Sequence, residues 1–179
     1  MGGSGVVGFW LGIDPGVQAV GLALVEGVRA PFRLLKAETL SLTPSRALDE
    51  RLRTLYTGLE NFLSSFSQEV QPAMEAPFLG RNPSSALILG AFQGAIWGFL
   101  CLRGYPPPIR LAPARIKKAI TGRAHADKAQ VAAMLPYYLQ GPLPQPSSTH
   151  ATDAIAIALA AAFLQSSPIT RRFTSRAER

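Results

Sequence analysis

The sequence has a single cysteine, Cys101, among 179 residues. No disulfide framework can be built from one thiol, and a reducing, cytoplasmic setting is the expectation. Charge is also sparse, at 16% of residues against 47% hydrophobic, a balance that excludes wholesale disorder. The opening MGGSG lacks the basic and apolar segments of a signal peptide, and residues 1–5 read as a disordered lead or an artificial remnant. Internal repeats and low-complexity tracts are missing too. Acidic residues run out early: only Asp127, Asp153 and Glu178 follow position 75, against 12 basic residues.

That imbalance is the first positive signal. The chain carries a net charge of +7, and 14 of its 18 cations are arginine, whose planar fork suits phosphate oxygens. A basic half on a folded domain points to a polyanion partner. The length fits one domain, expected over residues 6–165, with residues 166–179 as a flexible basic tail.

Hydrophobic patterning gives the order of elements. Val6–Ile13 is an apolar run closed by Asp14-Pro15-Gly16, the pattern of a strand and turn, and Ala19–Val25 and Phe32–Thr39 read as two more strands. From Pro44 to Phe66, Leu48, Leu52, Leu55, Leu59, Phe62, Leu63 and Phe66 recur at helical spacing. Pro72–Glu75 reads as a fourth strand and Ile109–Ala112 as a fifth. Pro113 opens a short basic helix, and a further helix covers Asp127–Leu135. After an irregular connector at 141–148, Thr149 opens an alanine-rich helix. The expectation is an α/β domain with a five-stranded mixed sheet flanked by helices.

Ser84–Leu102 is an uncharged stretch long enough to span a bilayer. Gln93, the serines, and Gly90, Gly94 and Gly98 lower its hydropathy. It reads instead as a buried helix whose glycine ridge admits another backbone, from the sheet or from a partner subunit.

Three acids stand where apolar elements end or begin. Asp14 closes the first strand, Glu75 closes the fourth, and Asp153 lies in the first turn of the alanine-rich helix. Carboxylates beside apolar segments are costly unless a cation or partner compensates them. His150, three residues before Asp153, shares its helical face. Converged, these four groups would hold one or two divalent ions, and a pair about 4 Å apart activates water against a phosphodiester. Taken singly, each has a plainer role: an Asx-turn for Asp14, a helix-dipole carboxylate for Asp153, a solvated ring for His150. Glu75, within the otherwise apolar PAMEAPF, is harder to assign to such a role.

LGIDPGVQAVGLALVE resembles the opening of the RuvC family of Holliday-junction resolvases. AMEAPFLGRNPSSALILGAFQG, LAPARIKKAITGRAHADKAQV and HATDAIAIALA resemble that family's three later motifs, in order, so that the likeness covers roughly residues 7–165. It implies an RNase H-like fold, a homodimer, and symmetric paired nicking of four-way DNA junctions in recombination and repair. It also implies dependence on Mg2+ or Mn2+, two ions per subunit, products with 5′-phosphate and 3′-hydroxyl ends, and coupling to the RuvA–RuvB branch-migration complex. By position, Asp14, Glu75 and Asp153 would bind metal. His150 falls where many members have a fourth acid; imidazole there favours manganese over magnesium, or else serves to orient or deprotonate the attacking water. Lys117 and Lys128 would hold the scissile phosphate. Phe78 would stack on an unpaired base, Arg81, Lys118 and Arg123 would contact phosphates, and Asn82 would touch DNA or cap its helix. The glycine-ridged helix is the expected dimer contact.

Other readings share some of these features. Gly-Ile-Asp-x-Gly also resembles the first phosphate motif of sugar kinases and actin-like ATPases, which need a second lobe. An RNase H-like nuclease acting on RNA or an RNA–DNA hybrid is a closer rival, and a non-cleaving junction-binding protein is another. Acids at the centre of the site argue against a mere phosphate binder.

Overall fold

β1 (Phe9–Pro15) sends Leu11 and Ile13 into one apolar core and Trp10 into another, so both faces of this central strand are covered. The computed structural model describes residues 8–43, 46–76, 83–140 and 149–166. The expected segment 1–5 falls outside that range, as do Phe78, Arg81 and Asn82 and all of the expected tail 166–179 except Ser166, which ends α5. Within it, β1 is followed by β2 (Ala19–Glu26), β3 (Phe32–Ser41), α1 (Leu48–Leu63), β4 (Gln71–Glu75) and α2 (Pro83–Leu102). β5 (Ile109–Leu111), α3 (Pro113–Thr121), α4 (Lys128–Tyr138), β6 (Leu139–Gln140) and α5 (Thr149–Ser166) complete the order.

The sheet runs β5-β4-β1-β2-β3-β6. β1, β2 and β3 form an antiparallel meander, while β4 joins β1 and β5 joins β4 in parallel. α1 and α2 cover one face; α3, α4 and α5 cover the other. Among the described residues six strands stand where five were expected. The extra one, β6, has two residues and pairs in parallel with Phe32 and Arg33 at the edge. Two residues carry no periodicity, so only the tertiary pairing creates this strand.

Other boundaries moved for identifiable reasons. β1 continues past Ile13 because Asp14 and Pro15 still pair with Gly21 and Val20 of β2, which puts Asp14 inside the ladder rather than in a turn. α1 ends at Leu63, and Phe66 leaves the helix to pack edge-on against Phe9. α4 starts on a capping box between Asp127 and Gln130, and it carries Pro136 in its last turn, where only one N–H is forfeited.

α2 departs most from expectation. Phe92, Ile96 and Leu100 are fully buried, but Leu87 and Leu102 are 78% and 89% exposed, and Trp97 is also open. A Cβ placed at Gly90, Gly94 or Gly98 meets nothing within 4 Å, so the glycine ridge faces away from the sheet. Among the described residues, no helix is long and apolar enough to cross a membrane.

The opposite face brings helix and sheet into backbone contact. A Cβ at Gly12 would lie 2.0 Å from the Ala154 carbonyl oxygen, and one at Gly21 would lie 1.9 Å from that of His150. Only glycine admits α5 so close to β1 and β2. Ala154, Ala158 and Ala160–Ala162 keep the helix side of that contact thin. The first turn of α5 is thereby set over the end of β1.

Candidate active site

Parallel pairing of β1 with β4 aligns Ile13 with Met74, which places the next residues, Asp14 and Glu75, side by side at the carboxyl ends of the strands. α5 adds His150 and Asp153 from its first turn, α3 adds Lys117, and α4 adds Lys128 at its first position. These six side chains border one open cavity of about 320 Å³. Ile116, Val131, Ala156 and Ile157 form its apolar wall.

Two polar pairs organise the cavity. His150 Nδ1 lies 2.7 Å from Asp14 Oδ2, and Lys128 Nζ donates to Asp153 Oδ2 at 2.6 Å. The turn after β1 supports the first pair: Gly16 leaves room for the imidazole, since a Cβ there would stand 3.3 Å from His150 Cε1. Arg51 of α1, buried and stacked on the Phe92 ring, donates to the Val17 carbonyl and pins that turn to the helix layer.

Burial raises the Asp14 carboxyl above the usual range, and the charge of Asp153 adds to it, while the His150 contact opposes the shift. Glu75 is raised by burial and by the charges of Asp14 and Asp153, with Lys128 and Lys117 opposing. Lys128 is itself raised, chiefly by its hydrogen bond to Asp153. Burial thus outweighs the neighbouring lysines at both carboxyls.

As placed, no three acidic, histidine or cysteine side chains among the described residues close on one point. Asp14 is turned to His150 and Asp153 to Lys128. The donor set still suits a divalent cation: three carboxylates and one imidazole share a field in which two carboxyls resist ionisation. A cation among them relieves the repulsion that Lys128 offsets in part.

Not every residue singled out in the sequence reaches the cavity. Lys118 and Arg123 are exposed and do not line it. Arg123 is tied to the end of α3, its N–H donating to Thr121 Oγ1 at 3.1 Å. From sequence, Gly12 and Gly16 stood only in a turn and a phosphate-motif likeness, and Gly21 and Arg51 went unremarked, yet all four support the site from behind. Glycines inside apolar strands were the available signal, since they mark close approach of another backbone.

Comparison with known proteins places the chain in a family. The family model described as "Crossover junction endodeoxyribonuclease RuvC" matches residues 10–161. The protein of that name from Halorhodospira halophila is 39% identical over 165 residues, covering 92% of this chain and 95% of the relative. Among solved structures, T. thermophilus RuvC in complex with a Holliday junction substrate superposes with a TM-score of 0.78 at 32% identity, covering 88% of this chain and 94% of that one. The yeast mitochondrial Holliday junction resolvase shares the fold, with a TM-score of 0.63 at 15% identity over 94% of this chain and 84% of that one. The mixed sheet with helices on both faces is thus the RNase H-like fold of these resolvases. With four collinear motifs, a cavity of three acids and a histidine, and these likenesses along most of its length, the chain belongs to the RuvC family of crossover junction endodeoxyribonucleases.

Proposed function

We propose that this chain resolves four-way DNA junctions by paired, metal-dependent hydrolysis, leaving 5′-phosphate and 3′-hydroxyl ends. The observation that carries the reading is the convergence of Asp14, Glu75, His150, Asp153, Lys117 and Lys128 on one cavity. Asp14, Glu75, Asp153 and His150 are the groups that would hold two divalent ions. Such ions would supply Lewis-acid polarisation of the phosphodiester and would make the attacking water more acidic.

The chain's own groups do the rest. Asp14 holds His150 through Nδ1, which leaves Nε2 as the ring nitrogen free to coordinate or to take a proton. Lys128 exchanges the oxygen of Asp153 for one on the scissile phosphate, and Lys117 meets the same charge from α3. The wall of Ile116, Val131 and Ile157 keeps bulk water from one side of the reacting group. Phe78, Arg81, Asn82, Lys118 and Arg123 extend the contact with DNA, one by stacking and the rest through phosphates or base edges.

A junction has two strands to cut symmetrically, and a two-fold dimer presents two equivalent sites. The open face of α2, with Leu87, Trp97 and Leu102 around Gly90, Gly94 and Gly98, is the surface that a second copy covers. The family likeness supports coupling to RuvA–RuvB as part of the same reading.

The test is cleavage of a synthetic four-way junction beside a linear duplex and an RNA–DNA hybrid, with Mg2+ and then Mn2+. Symmetric nicks in the junction alone, lost in Asp14→Asn, are expected. Cutting of the hybrid instead moves the activity to an RNase H-type nuclease, and binding without cutting leaves an architectural protein.

A further inference from the structure

Gln93 is the one polar side chain buried on α2 among the described residues, at 5% exposure, beside the fully buried Phe92 and Ile96. A buried amide is costly unless its donors and acceptor are used. Here both ends are engaged. Arg110 Nη2, on β5, donates to Gln93 Oε1 at 3.3 Å, and Gln93 Nε2 donates to the backbone carbonyl of Glu75 at 3.5 Å. The Arg110 guanidinium lies 5.5 Å from the centre of the Trp97 ring, and its Nε has no hydrogen-bond partner among the described residues. This cation therefore faces a neutral amide rather than an acid, and it polarises that amide into a better donor.

The target is the peptide that follows Glu75. Its N–H, on Ala76, donates to the Leu111 carbonyl at 2.8 Å, while its carbonyl lies just past the last registered pair with β1, Ile13 and Met74. Gln93 takes the place of the missing sheet neighbour. With both edges of one peptide plane held, the backbone torsion between Glu75 and that peptide is restrained, and with it the direction of the Cα–Cβ bond that carries the carboxylate.

We infer that Gln93 and Arg110 are positioning residues that clamp the Glu75–Ala76 peptide and so aim the Glu75 carboxylate into the cavity. The inference rests on the proposed role of Glu75 as a metal-binding group. Neither residue touches the reacting atoms. Partners that orient metal-binding side chains change metal affinity by about 10- to 100-fold when removed.

The experiment uses the full chain with Gln93→Met, Arg110→Met and Glu75→Gln, measuring Mn2+ binding by calorimetry, thermal unfolding, and single-turnover junction cleavage. Gln93→Met is expected to bind Mn2+ about tenfold more weakly, with Arg110→Met losing less in the same direction. A packing role would lower the melting temperature and leave the Mn2+ affinity of the folded protein alone. If Gln93→Met fails to fold, Arg110→Met, on a partly exposed strand residue, decides. Mn2+ affinity within about twofold of the parent in the folded variants, with Glu75→Gln impaired, overturns the clamp and spares the site. Undiminished Mn2+ binding by Glu75→Gln overturns both.

Discussion

Replacing Gly21 with alanine puts the seating of α5 on the sheet under direct test. The added Cβ would stand 1.9 Å from the His150 carbonyl oxygen and 2.4 Å from its carbonyl carbon, both backbone atoms of the first turn of α5. Real Cβ atoms essentially never come within 3.0 Å of a neighbour, so that turn must retreat by roughly 1 Å. The rest of α5 is held by buried Ala154–Ala162, and the displacement concentrates where His150 and Asp153 sit. Overpacking of this kind costs about 1–3 kcal/mol. For a chain of this size that lowers Tm by roughly 2–4 °C per kcal/mol. The rate falls further than stability suggests, because a misplacement of about 1 Å costs on the order of 100-fold. Single-turnover cleavage of a synthetic junction at saturating Mn2+, with thermal unfolding alongside, measures both effects. Gly58→Ala is the control: its Cβ meets only the flexible end of Leu40, at 2.6 Å and away from the cavity, so its rate should hold even where its Tm moves. A Gly21→Ala protein that cuts within about threefold of the parent would refute the positioning argument.

Asp14→Asn is expected to abolish cutting while raising the Tm of the metal-free protein at neutral pH. Asp14 has a raised pKa in the fold, so its ionised form destabilises the protein above that pKa, and the gain shrinks as pH falls toward the ordinary carboxyl range; a pH series of melting curves checks the sign. Lys128→Gln removes a charge that lowers the pKa of both Asp14 and Glu75, so the acid limb of the pH–rate profile shifts to higher pH; an unmoved limb separates Lys128 from these acids. His150→Asp should lower the ratio of Mn2+-supported to Mg2+-supported rate, and an unchanged ratio removes the imidazole from the metal-binding set. Leu87→Glu, at a site 78% exposed, should leave the fold intact and shift sedimentation equilibrium to monomer; a variant that stays dimeric moves the interface off α2.

Much of the framework was legible along the chain. Apolar runs bounded by Gly and Pro turns marked β1 to β3, helical spacing of leucines marked α1, and the acids at Asp14 and Glu75 stood out against apolar surroundings. These signals are local, since periodicity reports which face of an element is buried and not what buries it. The same limit explains α2, whose apolar length suggested burial all round although Leu87 and Leu102 are exposed and its glycine ridge faces open space among the described residues. Sheet order, the edge strand β6, and the seating of α5 on Gly12 and Gly21 came only with the tertiary structure. So did the partners of the charged groups. His150 shares a helical face with Asp153, yet it bonds Asp14 from 136 residues away, while Asp153 takes Lys128. The sequence by itself determined which residues could carry metal and phosphate chemistry, because that depends on side-chain type and on position at the end of an apolar element. Which of them share one cavity was decided by the parallel pairing of β1 with β4 and by a helix lying on glycine, contacts between segments far apart in the chain.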